Sequence, residues 1–132
     1  MAIHPCRGNN QSKWYAEGGY EPIGEALFGT QAVGRFLLEY DTERAGTFEP
    51  LRFVPRDEMV VRGLVNSKEP KLESQYELLR RIDEASQYFP VDRMALRAQC
   101  GFASMAAGNV LTEDEQWRTL KLVVETAPKV WG

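Results

Sequence analysis

One histidine, His4, and two cysteines, Cys6 and Cys100, are all that the chain offers of its most versatile metal-binding and nucleophilic side chains. Two cysteines so far apart in sequence serve metal binding or catalysis more often than a disulfide when the compartment is reducing. The N-terminus has no apolar core of a signal peptide, and no apolar run approaches the ~18 residues of a membrane span, so a soluble, cytoplasmic protein with no membrane partner is expected. Basic excess is also missing. Lys and Arg number 16 against 19 Asp and Glu, a net charge of −3, and they are scattered, which argues against a nucleic-acid partner. Nor is there a tandem repeat, a low-complexity tract or an interdomain linker. What remains is 132 residues with 43% hydrophobic content, enough for one domain over residues 1–132 with a packed core.

Strand-like and helix-like stretches alternate four times. Ala2 to Cys6 reads as a first strand, followed by a Gly/Asn-rich loop and a short helix over Glu21 to Phe28. Arg35 to Tyr40 reads as a second strand and Thr47 to Pro55 as an irregular connection with one helical turn. The β-branched stretch Met59 to Val65 is the third strand. The capping box Ser74-Gln75-Tyr76-Glu77 then opens a helix whose Leu78, Ile82, Ala85 and Phe89 recur at helical spacing before Pro90. Met94 to Ala98 is strand four. A second capping box, Thr112-Glu113-Asp114-Glu115, opens a last helix predicted to bury Trp117, Leu120, Val124 and Ala127 along one face and to be disrupted at Pro128. Trp131 is expected in the same core.

Parallel neighbours need crossovers, so four successive βα units imply a parallel sheet. A closed (β/α)8 barrel takes ~250 residues, and four units are half of one. The alternative, an open doubly wound sheet, usually carries a Gly-rich phosphate loop after its first strand; Arg7-Gly8-Asn9-Asn10 lacks that spacing. In both architectures ligands gather at the C-terminal strand ends. His4 and Cys6, two apart in an extended segment, leave one such end on the same side. Glu39 and Cys100 follow the second and fourth strands. Zinc takes tetrahedral N, S and O donors, and these four would make an electron-rich His/Cys/Glu/Cys set, suited to holding a substrate thiol as thiolate. Each has a plainer reading: buried free cysteines, a solvated strand end at Glu39. Lys68 reads as solvated, and Arg7, Asn9, Asp41 and Ser67 fall near the same face without an assignable role.

The runs His4-Pro5-Cys6-Arg7-Gly8-Asn9-Asn10, Ala16-Glu17-Gly18-Gly19-Tyr20, Leu38-Glu39-Tyr40-Asp41, Gly63-Leu64-Val65-Asn66-Ser67-Lys68 and Gln99-Cys100-Gly101-Phe102-Ala103-Ser104 closely resemble the C-terminal part of cobalamin-independent methionine synthase and its methionine-synthase-like relatives. The resemblance spans nearly the whole chain. It implies strands five to eight of a (β/α)8 barrel, one zinc held by His4, Cys6, Glu39 and Cys100, and zinc activation of a homocysteine-like thiol for methyl transfer from a methyltetrahydrofolate-like donor. Methionine synthases proper carry an Asp and a His where this chain reads Asn66-Ser67-Lys68, so the match is to the methionine-synthase-like branch and no second histidine serves as an acid. Two functions stay open: a zinc-bearing half of a thiol methyltransferase, with transfer of another alkyl group to another thiol as a variant, or a non-catalytic, zinc-binding remnant. Either would pair with a second copy or a partner half-barrel to cover its open edges.

Overall fold

The computed structural model describes residues 1–10, 13–14, 16–30, 32–42, 45–103, 106 and 108–132. Four strands form one parallel sheet: β1 (Ala2–Ile3), β4 (Arg35–Glu39), β5 (Met59–Val65) and β6 (Met94–Ala98), in the order β1-β4-β5-β6. β2 (Asn9–Asn10) and β3 (Lys13–Trp14) make a separate antiparallel ribbon inside the loop that sequence left without structure. Each sheet strand is added beside its predecessor in the same direction. There is therefore no point where strand order reverses, the place at which a doubly wound sheet forms its ligand crevice. The fold class is α/β.

β5 and β6 have their predicted limits, because Met59–Val65 and Met94–Ala98 pair along their lengths with a neighbour. β1 is shorter than predicted: only Ala2 and Ile3 pair with β4, opposite Arg35 and Phe36. Beyond Ile3 the Cys6 N–H donates to the His4 carbonyl at 3.0 Å, a tight turn in place of a strand.

Alternation along the strands separates two faces. Phe36, Leu38 and Tyr40, with Val60, Arg62 and Leu64, are wholly buried against the helical layer. That layer contains α1 (Gly24–Gly29), α2 (Gln75–Ser86) and α3 (Glu113–Trp131). Phe28 meets Phe36 edge-on at 5.1 Å, and Tyr20 lies 5.9 Å from Phe28 and 5.4 Å from Tyr40, so an aromatic chain ties the segment before α1 to β4. Burying each such ring or aliphatic side chain contributes about 1.5–3 kcal/mol. On the other face Leu37, Val61 and Ala95 stand in register across three strands and remain half-exposed.

α2 begins at Ser74, whose side chain accepts the Glu77 N–H; the Glu77 carboxylate pairs with Arg80, so half of the predicted box forms. Leu78, Ile82 and Ala85 are buried as predicted, and Phe89 joins them from beyond the helix end. The Thr112–Glu115 box is complete. The α3 face is a correction. Trp117, Leu120 and Val124 are 63%, 40% and 69% exposed, and Ala127 is only half-buried, while Thr119 and Thr126 are buried. The two threonine hydroxyls bond back to the Glu115 and Leu122 carbonyls, so their methyl-bearing side can pack inward without an unpaired polar atom. α3 also continues through Pro128 to Trp131. The carbonyl that loses its helical partner there belongs to Val124, on the exposed side where water can serve it. Trp131 packs against the core and its indole N–H donates to the Val91 carbonyl at 2.8 Å.

Two expectations follow from this packing. Arg62 is fully buried, and its three guanidinium nitrogens have no hydrogen-bond partner among the described residues. Burial, reinforced by Arg81, pushes its pKa down to about 10. Arg62→Met should leave the fold intact and raise stability by about 1–3 kcal/mol, read from urea denaturation at neutral pH. The bare row of Leu37, Val61 and Ala95, with the stripe Trp117, Leu120 and Val124, should be covered by association, giving a dimer or larger species by light scattering. A monomer that persists at all concentrations would contradict this.

Candidate metal centre

Parallel strands bring their C-terminal ends to one edge of the sheet. His4 and Cys6 follow β1, Glu39 ends β4, and Cys100 lies two residues beyond β6. All four predicted residues meet: one donor atom from each lies within 4.8 Å of the others. The His4 Nε2 is 3.3 Å from the Cys100 Sγ, the two sulfurs are 3.5 Å apart, and Cys100 Sγ is 2.6 Å from Glu39 Oε1. Both cysteines are free thiols.

Local geometry aims each donor. The tight turn at Cys6 keeps imidazole and thiol together, although the segment is not extended as the sequence reading supposed. Cys100 sits on a similar turn, in which Gly101 N–H donates to the Gln99 carbonyl, and Gly101 takes φ +105°, a conformation suited to glycine. Gly63 makes room beside it: a Cβ there would lie 3.1 Å from the Gln99 side chain, whose amide donates to the Gly63 carbonyl at 2.8 Å. His4 Nδ1 lies 2.8 Å from the Leu37 carbonyl. The Leu37 carbonyl only accepts, so that contact takes a proton on Nδ1, whereas the donor-only Arg97 guanidinium takes a lone pair there; the first arrangement turns the Nε2 lone pair towards the Cys100 sulfur. Arg97 flanks the same ring nitrogen at 3.2 Å.

Glu39 is fully buried, whereas His4 and Cys6 are exposed. Burial first, then the hydrogen bond to Glu39, pushes the Cys100 thiol well above its ordinary pKa; without a cation it stays protonated and donates to the carboxylate. The Glu39 Oε2 accepts the Arg7 backbone N–H at 3.2 Å and lies 3.5 Å from its guanidinium. Lys68 corrects the sequence reading: it is 8% exposed and its ammonium donates to the Gly101 carbonyl at 2.7 Å, beside Ser67, whose hydroxyl donates to the same oxygen. Arg7 had no role assignable from sequence and Lys68 was read as solvated, since nothing in their spacing distinguishes them from surface side chains. Ser104, at the end of the last motif, lies outside the described residues.

The donor set suits a tetrahedral divalent ion. Bonds of ~2.0–2.3 Å imply separations of about 3.3–3.8 Å between donors, the range of the His4–Cys100 and Cys6–Cys100 distances; the shorter Cys100–Glu39 contact holds the proton that a cation would displace.

No protein-family model matches the chain. Two proteins of Bacillus subtilis, the uncharacterised YxjG and YxjH, are 49% and 43% identical to it over 132 residues. That alignment takes in 99% of this chain and 35% of each relative, so the chain spans about a third of the length of the curated relatives it matches. Among solved structures, a Listeria monocytogenes protein provisionally named a vitamin-B12-independent methionine synthase superposes with a TM-score of 0.74 at 34% identity, over 99% of this chain and 35% of that one. A B12-independent methionine synthase from a Shewanella species, solved with selenomethionine, gives 0.75 at 18% identity over 98% and 38%, a likeness of fold alone. The chain therefore has a methionine-synthase-like fold, corresponding to a little over a third of those larger proteins.

Proposed function

We propose that the chain is the zinc-holding C-terminal half-barrel of a methionine-synthase-like thiol methyltransferase, with His4, Cys6, Glu39 and Cys100 as the ligands. The observation that carries the reading is the convergence of these four donors, from three strand ends, within 4.8 Å. Bound there, zinc would supply the positive charge that keeps an incoming thiol ionised at neutral pH. The chain's own residues set how that sulfur behaves. Two thiolates and a carboxylate leave the site rich in electrons, so the substrate sulfur keeps its nucleophilicity. Glu39, the hardest donor, would be the one most easily displaced by an incoming sulfur. The Leu37 carbonyl orients the His4 ring, and Lys68 and Ser67 secure the turn that carries Cys100. The likeness to a methionine synthase supports a homocysteine-like acceptor and a methyltetrahydrofolate-like donor, and work in the cytoplasm is part of the same proposal. No helix among the described residues is long and apolar enough to cross a membrane.

Protein prepared without chelators under reducing conditions should contain close to one zinc per chain by elemental analysis. Cys6→Ser and Cys100→Ser should each lose most of it, because a hydroxyl is a far poorer zinc ligand than a thiolate; Glu39→Gln should weaken binding less. Zinc-free wild-type protein would overturn the proposal.

The longer relatives have about two thirds of their length outside the part that this chain matches, and we place the residues that would position a methyl donor in that part. The 132-residue chain alone should therefore show little or no methyl transfer from methyltetrahydrofolate to homocysteine, since the missing orientation can amount to ~7–11 kcal/mol of the barrier. Adding the N-terminal part of a relative should restore turnover if the chain is half of an enzyme and not if it is a zinc-binding remnant. Robust turnover by the isolated chain would refute the dependence on a second half.

A further inference from the structure

We propose that Arg7 is a positioning residue that receives the Glu39 carboxylate when an incoming sulfur takes its place among the donors. The inference rests on the metal-holding reading above and adds to it the group that makes one ligand exchangeable.

The two oxygens of Glu39 have different surroundings. Oε1 faces the Cys100 sulfur at 2.6 Å, inside the donor set. Oε2 points away from it, accepting the Arg7 backbone N–H at 3.2 Å with the Arg7 guanidinium 3.5 Å off. The Glu39 side chain is fully buried and that of Arg7 is 11% exposed, so little water reaches the pair. Arg7 is itself fixed from several sides. Its Nε donates to the Gly18 carbonyl at 2.8 Å, its Nη1 to the Tyr20 hydroxyl at 3.2 Å, and its guanidinium stacks 4.3 Å from the Tyr20 ring centre. Tyr20 in turn accepts the Glu39 N–H at 3.0 Å and is held in the aromatic chain of the core.

A carboxylate withdrawn from a dication in a closed site must keep a positive partner or bear the full cost of a buried bare charge. Arg7 is already in place on Oε2 before any exchange occurs. Glu39 can thus release Oε1 with a small rotation and remain paired, and the arginine that accepts it directly follows the ligand Cys6. Without that cation Oε2 keeps the Arg7 backbone N–H but loses the guanidinium charge, so the carboxylate would be drawn more strongly to the metal and a thiol would have to compete against it.

Zinc K-edge absorption of the full 132-residue chain, with homocysteine titrated in, tests this. Wild-type protein should gain one sulfur and lose one oxygen at zinc. Arg7→Met should keep close to one zinc per chain and a native circular dichroism spectrum, yet need about tenfold or more thiol for the same change, the loss expected for one charged hydrogen bond. Arg7→Lys, which keeps the cation but not the fork, should fall between the two, and it supplies the same readout if Arg7→Met does not fold. An Arg7→Met site that exchanges at the wild-type thiol concentration, or one that folds but loses its zinc, overturns the role given to Arg7 alone. A wild-type spectrum unmoved by thiol overturns the proposed function, and this inference with it.

Discussion

Parallel register is the constraint on which the rest depends. Because β1, β4, β5 and β6 run the same way and pair in sequence order, their C-terminal ends reach one edge together. Glu39 stands opposite Gly63, and Cys6 and Cys100 hang from turns that begin just past their strands. A slip of one residue in β4 would send Glu39 to the helix-facing side and replace it with Leu38 or Tyr40. The aromatic and aliphatic burial of Phe36, Leu38 and Tyr40 against Phe28 and Tyr20 prevents that slip. Core packing therefore fixes the chemistry indirectly, by deciding which side chain of β4 faces the sulfurs.

The same edge concentrates acidic groups, and its stability depends on how they are compensated. With no cation, the proton on Cys100 serves Glu39, and the guanidinium of Arg7 serves the other oxygen. Burial drives Lys68 below its ordinary pKa, while the neighbouring Cys100, Cys6 and Glu39 oppose that shift. Arg7, Lys68 and the proton on Cys100 thus stand around Glu39 and the two sulfurs, and a bound cation would take the place of that proton. That balance depends on residues far apart in sequence and so has no local signature.

Legibility in the sequence followed the same division. Elements fixed by local preference could be read: the β-branched Met59–Val65, the two capped helices and Met94–Ala98 all stand where their patterns place them. The convergence of His4, Cys6, Glu39 and Cys100 could be read because strand ends of a parallel sheet are where such residues meet, and because the chain has so few histidines and cysteines to choose from. What could not be read depends on tertiary context. α3 has apolar residues on more than one side, so periodicity alone chose Trp117, Leu120 and Val124, whereas packing chose the side of Thr119, Leu122, Val123 and Thr126. Pro128 was taken for a breaker, yet its cost falls on an exposed carbonyl near the helix end. Arg7 and Lys68 look like surface charges until the fold closes around them.

The bare row on the sheet has a simple physical origin. A strand sheet with helices on one side buries only that side, and its other face, with the open edges at β1 and β6, stays in water until something covers it. His4 and Cys6 are exposed at the sheet's C-terminal edge, while Glu39 is closed off behind them. Covering the bare face would therefore do two things together: bury the Leu37, Val61 and Ala95 row, and exclude water from the exposed His4 and Cys6. In a dry site the charges of Arg7, Lys68 and the sulfurs interact more strongly than they do in contact with solvent. The fold thus couples completion of its own hydrophobic surface to the electrostatic strength of its candidate centre.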